Sequence, residues 1–169
     1  MTFDLDGVLC RPPLGINPGT GTGKRRDVPG RKGLLWLTER WRYRGRGPMS
    51  GAIEGIALLS RTHRWEVVTA RSEVARSLTE RWFQRHFGII PVIHMRPHWQ
   101  ETSAQFKARL VTSLQPVAHF EDDPFTAAWV AELCPTVFLI DWPRNRALAG
   151  ANIIRVASIC DAALRYLRQ

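Results

Sequence analysis

From residue 50 onward, short apolar runs alternate with segments of helical periodicity, and this alternation limits the fold more than any other feature of the sequence. Ser50 is placed to cap a helix whose Ile53, Ile56, Ala57 and Leu59 recur at roughly helical spacing. Trp65 to Val68 reads as a short strand ending at Thr69. Ser72 opens a second helix with Ala75, Leu78 and Trp82 facing inward and Gly88 ending it. A strand over 89–94, a helix over 103–114 and a strand over 117–120 follow. Pro124 then suits the first turn of a helix. Strands over 136–140 and 152–156 and a last helix over 158–168 complete the pattern. Strands separated by helices of this length predict an α/β fold, with a mostly parallel sheet covered by helices on both faces. Ligands of such sheets bind at the carboxyl ends of strands. Asp4, Thr69 and Asp122 all fall at such ends.

Residues 11–49 break the pattern. They hold Pro12, Pro13, Pro18 and Pro29, many glycines, and Arg11, Arg25, Arg26, Arg31, Arg42, Arg44 and Arg46. Loops beyond about 15 residues are usually functional or disordered. The stretch reads as a lid or loop inserted after the first strand of a single 1–169 domain. Trp36, Trp41 and Tyr43 are either its small core or a stacking surface for a base.

Inside the first apolar run stands Phe3-Asp4-Leu5-Asp6-Gly7-Val8. Carboxylates this close repel one another and lose solvation when buried, so they point to a cation or to catalysis. The pair also suits a plain surface turn. In a continuing strand Asp4 and Asp6 share a face, and where the strand ends they diverge.

The formal net charge is +9, and lysine occurs only at Lys24, Lys32 and Lys107. Arginine grips phosphate oxygens bidentately, so the excess suggests an anionic partner, unless it reflects genomic composition alone. Cys10, Cys134 and Cys160 are few, odd and far apart, which argues against a disulfide framework or zinc knuckle and suits a reducing cytoplasm. No apolar run reaches the roughly 18 residues that a membrane helix needs. Three other motifs fail. Gly19 to Lys24 lacks the first glycine and the final Ser or Thr of a nucleotide phosphate loop. Asp4-x-Asp6 lacks the later glycine and glutamate of a calcium loop. His94-x-x-x-His98 lacks the glutamate of a zinc-protease helix, and Pro97 opposes a helix, so loop histidines are expected there.

Asp4-x-Asp6, Thr69, Lys107 and Glu121-Asp122-Asp123 occur in that order, and their order and spacing resemble the haloacid dehalogenase-like (HAD) superfamily of phosphatases and phosphotransferases. The resemblance covers most of the chain outside 11–49. Phe3 to Leu9 is close to the family's hhhDxDGxh, and Val67-Val68-Thr69-Ala70-Arg71 is similar to its second motif. The resemblance implies a three-layer Rossmann-like fold and magnesium-dependent phosphomonoester hydrolysis. In that reading Asp4 attacks phosphorus and forms an aspartyl-phosphate. Asp6 protonates the leaving oxygen and then activates water, which asks nearby carboxylates to raise its proton affinity. Thr69 bonds a phosphoryl oxygen, and Lys107 neutralises charge on it and on Asp4. The side chain of Asp4, the carbonyl of Asp6 and Asp122 hold Mg2+, with Glu121 or Asp123 in support. Ala70, Arg71 and Arg96 line the substrate side. His94-Met95-Arg96-Pro97 followed by Lys107 also looks like the phosphatase domain of polynucleotide kinase-phosphatases, and deoxynucleotidases are a comparable match. A nucleotide or nucleic-acid phosphate end is therefore the implied substrate, with nucleic-acid contact through the arginine-rich lid. The alternative is a non-catalytic nucleic-acid-binding module on the same scaffold. A dehalogenase typically lacks the second aspartate. Only Met1, Thr2 and Phe3 precede Asp4, so either the true start lies upstream or the centre of the sheet is weakly built.

Overall fold

The protein is described by a computed structural model over residues 1–15, 43–97 and 101–167. Gly19 to Lys24, Arg25, Arg26, Arg31, Trp36, Trp41, Arg42 and His98 lie outside the described residues. Among the described residues, six strands form one parallel sheet: β1 (Thr2–Phe3), β2 (Glu66–Ser72), β3 (Val92–Arg96), β4 (His119–Glu121), β5 (Val137–Ile140) and β6 (Ile153–Val156). Their order is β3-β2-β1-β4-β5-β6. The chain leaves β1 toward one edge and returns at β4 to build toward the other, so the crevice of a doubly wound sheet opens between β1 and β4.

The two faces are separated by strict alternation along the strands. Phe3, Phe120 and Phe138 occupy matching register positions on β1, β4 and β5 and stack in a row, with centroids 4.3 and 4.8 Å apart. They join the larger core with Ile56 and Leu59 of helix α1 (Ala52–Leu59), Trp82 and Phe83 of α2 (Arg76–Phe87), and Ile159 and Ala162 of α5 (Ile159–Tyr166). Val137 and Leu139 point the other way, into a second core with Val111 of α3 (Ser103–Leu114) and Ala127 and Val130 of α4 (Pro124–Ala131). Between these cores the central strands β1 and β4 bury polar side chains on the α3 side: Thr2, Asp4, His119 and Glu121.

Local sequence accounts for most element ends. Thr102 and Gln105 make a reciprocal capping box at the start of α3. Asp123 caps α4 with Pro124 at its first position, and Ser158 caps α5. Gly88 ends α2 in the left-handed conformation, with φ of 71°. Several expectations shift. Strand β2 runs past Thr69 to Ser72, and a turn over Glu73–Ala75 follows, so α2 opens at Arg76 rather than at Ser72. Gly51, with φ of 73°, stands at the N-cap of α1 in place of Ser50. The buried stripe of α1 is Ala52, Gly55, Ile56 and Leu59, while Ile53 and Ala57 face outward. The reason is tertiary: α1 turns Gly55 against the backbone of α5 at Ile159 and Cys160. Ile89 and Ile90 are exposed, and β3 starts only at Val92. The first strand is as short as expected at two residues, but it is hydrogen-bonded on both sides by β2 and β4. No described helix is long and apolar enough to cross a membrane.

Candidate active site

Strand β1 ends at Phe3, and the chain then turns through Gly7, whose φ of 93° suits only glycine. Asp4 and Asp6 therefore diverge. Asp4 is buried beneath the sheet end, while the side chain of Asp6 keeps 33% of its surface exposed.

Asp4 meets Lys107, which α3 drives into the polar layer between its apolar neighbours Ala104, Phe106 and Val111. Lys107 Nζ lies 2.8 Å from Asp4 Oδ1 and donates to Glu121 Oε2 at 2.7 Å. One ammonium thus serves two buried carboxylates, and they share it unequally. Burial would raise the Glu121 carboxyl, but Lys107 and His119 outweigh it and hold Glu121 well below the usual carboxylate range. Burial, only partly offset by Lys107 and reinforced by Glu121 and Asp6, pushes Asp4 up to about 7. Burial would lower Lys107, yet Asp4 and Glu121 raise it well above its ordinary value.

Asp122 follows β4 directly and is also buried. Burial and the neighbouring Glu121 push its carboxyl well above the ordinary value, although Arg144 Nη2 donates to Asp122 Oδ2. Ligand oxygens of Asp4, Glu121 and Asp122 lie within 4.8 Å of one another. Asp123 instead turns its carboxylate to Thr126, accepting from the amide at 2.9 Å and the hydroxyl at 2.8 Å. Glu121 is already occupied: Oε1 accepts from the amides of Asp122 and Asp123, and Oε2 from Lys107 and His119. Of the triplet, Asp122 is the buried acid whose carboxylate is held by Arg144 rather than by backbone amides or Lys107, with an oxygen within 4.8 Å of Asp4 and Glu121.

Around Asp6 the neighbours are arginines rather than the expected carboxylates. Arg71 donates to Asp6 through Nε at 2.8 Å and Nη2 at 2.7 Å, and Arg46 adds Nη1 at 2.6 Å. Tyr43 lies under both guanidiniums, its ring centre 4.1 Å from Arg71 and 5.1 Å from Arg46. Both Asp6 oxygens accept, as a carboxylate's do. Arg71, expected to contact substrate, is buried and bonded to Asp6, Thr79 and Cys10, because the β2 turn points it beneath the Asp6 loop. Arg71 and Asp6 thus act as one unit. Cys10 is buried, and burial raises its thiol to about 11. Thr69 is buried on β2 and accepts the Arg71 amide at 3.2 Å. Ala70 and Arg96 are half-buried, Arg96 as the last residue of β3 opposite Ser72. His94 is a strand residue rather than a loop residue, and its Nε2 lies 2.6 Å from Glu66 Oε2 across the β2–β3 pair.

Several residues of the site carry no local sequence signal. Asn145 is buried and ties the turn after β5 to the Asp122 loop, donating to the carbonyls of Asp122 at 2.9 Å and Ile140 at 2.7 Å. Trp142 Nε1 donates to the Gly7 carbonyl at 3.0 Å. Arg46 and Arg144 reach the two aspartate loops from distant segments. Among the described residues, their Nε atoms are the buried side-chain donors that have no partner. A cleft of about 770 Å³ is lined by Arg11, Arg44, Arg46, Met49 and Trp142; Asp4, Asp6, Lys107 and Asp122 do not line it, and Arg46, which bonds Asp6, links it to the site.

No protein-family model and no curated protein matches the sequence. Solved structures do match in fold. D,D-heptose 1,7-bisphosphate phosphatase from B. bronchiseptica, complexed with magnesium and phosphate, superposes with a TM-score of 0.58 at 15% identity, over 99% of this chain and 97% of that one. CbbY from Rhodobacter sphaeroides, in complex with phosphate, gives 0.63 at 17% identity over 97% of each chain. SP0104 from Streptococcus pneumoniae, a haloacid dehalogenase-like family hydrolase, gives 0.62 at 13% identity over 99% of this chain and 95% of that one. With the parallel sheet, its strand order and the crevice at β1 and β4 in place, this chain has the haloacid dehalogenase-like fold.

Proposed function

We propose that the protein is a magnesium-dependent phosphomonoester hydrolase that works through an aspartyl-phosphate on Asp4. The observation that carries the reading is the buried cluster of Asp4, Lys107 and Asp122 at the carboxyl ends of β1 and β4. Three buried acids within 4.8 Å of one another, served by Lys107 and Arg144, are a costly arrangement for a purely structural core. The donor set fits magnesium: hard carboxylate oxygens close together and an excess of buried negative charge at Asp4, Glu121 and Asp122. Asp4, Asp122 and the backbone carbonyl of Asp6 would hold it, with Glu121 holding Lys107 rather than the metal. When bound, the ion neutralises phosphoryl oxygens and keeps Asp4 ionised.

The chain's own residues then divide the work. An Asp4 oxygen attacks phosphorus as the ester P–O bond breaks, and Lys107 stabilises the charge on Asp4 and the transferring group. The leaving oxygen takes a proton from Asp6. Asp6, again a carboxylate, takes a proton from water as that water attacks phosphorus, releasing inorganic phosphate and restoring Asp4. Arg71 and Arg46 orient Asp6 and favour its carboxylate form, which suits proton uptake from water and opposes the earlier donation to the leaving oxygen. Thr69 is the side chain of β2 nearest the role of phosphoryl ligand.

The substrate reading rests on charge. Arg11, Arg44 and Arg46 line a cleft that reaches the site through Arg46, and Trp142 is part of its wall. This supports a nucleotide or a nucleic-acid phosphate end, with residues 11–49 as the substrate-selecting lid of a single 1–169 domain. The neighbouring structures bound to phosphate are consistent with a phosphoryl site. Phosphate release should be measured over a panel of nucleotides, sugar phosphates and phosphorylated oligonucleotides, with and without Mg2+. Release from nucleotides or oligonucleotides that depends on Mg2+ is the expected result. Tight oligonucleotide binding with no release from any ester would instead favour a non-catalytic binding module.

A further inference from the structure

Behind the candidate nucleophile runs a buried hydrogen-bonded chain that the reaction does not itself require. Thr2 and His119 are register partners across the β1–β4 pair, and Thr2 Oγ1 lies 2.9 Å from His119 Nδ1. His119 Nε2 lies 3.4 Å from Glu121 Oε2, the same oxygen that accepts from Lys107, and Lys107 reaches Asp4. Every member is buried, and His119 and Glu121 are wholly so. His119 is flanked in sequence by the buried apolar Ala118 and Phe120, at a position where an aliphatic side chain would satisfy the core.

The directions of these bonds follow from the groups. An ionised carboxylate only accepts, so Nε2 must carry the hydrogen. With the Nε2 hydrogen directed at Glu121, Nδ1 of that tautomer is free to accept from the Thr2 hydroxyl, whose hydrogen can rotate to it. The chain therefore reads Thr2 O–H to His119, His119 N–H to Glu121, with Lys107 donating to both Glu121 and Asp4. At 3.4 Å the His119–Glu121 bond is long, so it contributes direction more than strength. Direction is what Lys107 needs: Glu121 Oε1 is pinned by two amides, and His119 fixes where Oε2 stands. The position of Oε2 sets where the ammonium sits relative to Asp4.

We propose that His119, held by Thr2, is a positioning residue that aims Lys107 at Asp4 through Glu121. Its kinetic consequence rests on the hydrolase reading above, while its structural consequence does not. The test compares wild type, H119Q and H119L. The glutamine amide can place an N–H where Nε2 stands, and leucine fills similar space without a donor. For p-nitrophenyl phosphate, H119L should lower kcat about 10-fold or more with KM within about 2-fold, and H119Q should recover most of the loss. A residue that only fills the core predicts losses that track melting temperature and that glutamine does not rescue. Wild-type kcat in folded H119L, or equal losses in both variants, overturns the proposal. The 15N resonance of the Lys107 ammonium gives a second readout without turnover. It should move in H119L and return in H119Q, and indifference to both substitutions overturns the proposal. If wild-type protein releases no phosphate from any ester, the hydrolase reading falls, and this resonance alone decides the positioning role.

Discussion

At the residue scale the decisive contrast is between Asp4 and Asp6, two residues apart and set in opposite surroundings. Asp4 is buried against Lys107, and Asp6 is half-exposed between Arg46 and Arg71. D4N keeps the shape and one hydrogen-bond acceptor but cannot form the acyl-phosphate. It should abolish phosphate release while the urea unfolding midpoint shows an intact fold, and wild-type turnover in folded D4N would refute the mechanism. The pH dependence follows from the raised Asp4 carboxyl. Its folded value of about 7 lies above the ordinary 3.8, so between the two the fold retains a proton that the unfolded chain has lost. The stability contribution of this group falls as pH rises through that window, and a cation that needs the carboxylate competes with the proton below it. The gain in melting temperature on adding Mg2+ should therefore be larger at about pH 8 than at about pH 5.5. Equal gains at both pH values would place the ion elsewhere.

At the scale of elements, the sheet is set by alternation and the helices by how closely they approach one another. Helix α1 meets α5 at Gly55, where an added Cβ would come 2.5 Å from the carbonyl carbon of Ile159 and 2.6 Å from the amide nitrogen of Cys160. Backbone cannot yield as a side chain can. G55A should cost about 2 kcal/mol by urea unfolding, even though alanine is the better helix former. A stabilised G55A would show that α1 and α5 are free to part. The Asp123 cap predicts a smaller effect. D123A should cost about 1 kcal/mol through α4 while leaving kcat within about 3-fold, since Asp123 faces Thr126 and not the acidic cluster. A loss of turnover far beyond that would bring Asp123 into the metal site.

Across the whole molecule, net charge and the arginine cleft bear on substrate. With a formal charge of +9 and Arg11 and Arg44 at the cleft, KM for a phosphorylated oligonucleotide should rise steeply with salt through counterion release. R11A and R44A should each flatten the log–log slope by about 1. A slope unchanged by both would make the arginines a feature of composition. Here the fold itself supplies the geometry. The crevice opens where the chain reverses direction across the sheet, between β1 and β4, and Arg46, Trp142 and Arg144 close over it from segments far apart in sequence.

Much of this was legible in the sequence because periodicity is local. The helix over Ser103–Leu114, a last helix within 158–168, the helix opening at Pro124 and the stop at Gly88 all follow from neighbouring residues alone. So does the placement of Asp4 and Asp122 at strand ends, and so does the notice taken of Lys107, a lone lysine in an arginine-rich chain. Other features needed the tertiary structure. The inward face of α1 was decided by Gly55 fitting against α5, which no helical pattern records. Arg71 looked like a substrate contact beside Thr69 but is buried under Asp6, because β2 runs on to Ser72 with a register break after Thr69, and what fills the space beneath that break sets the side chain's direction. His119 read as part of a strand, and its meaning came only from Thr2 across the sheet and Glu121 two residues on. Sequence determines which residues are apolar, which can turn and which carry charge. Only packing decides which charges share one low-dielectric space, and that sharing makes Asp4, Lys107, Glu121 and Asp122 a site.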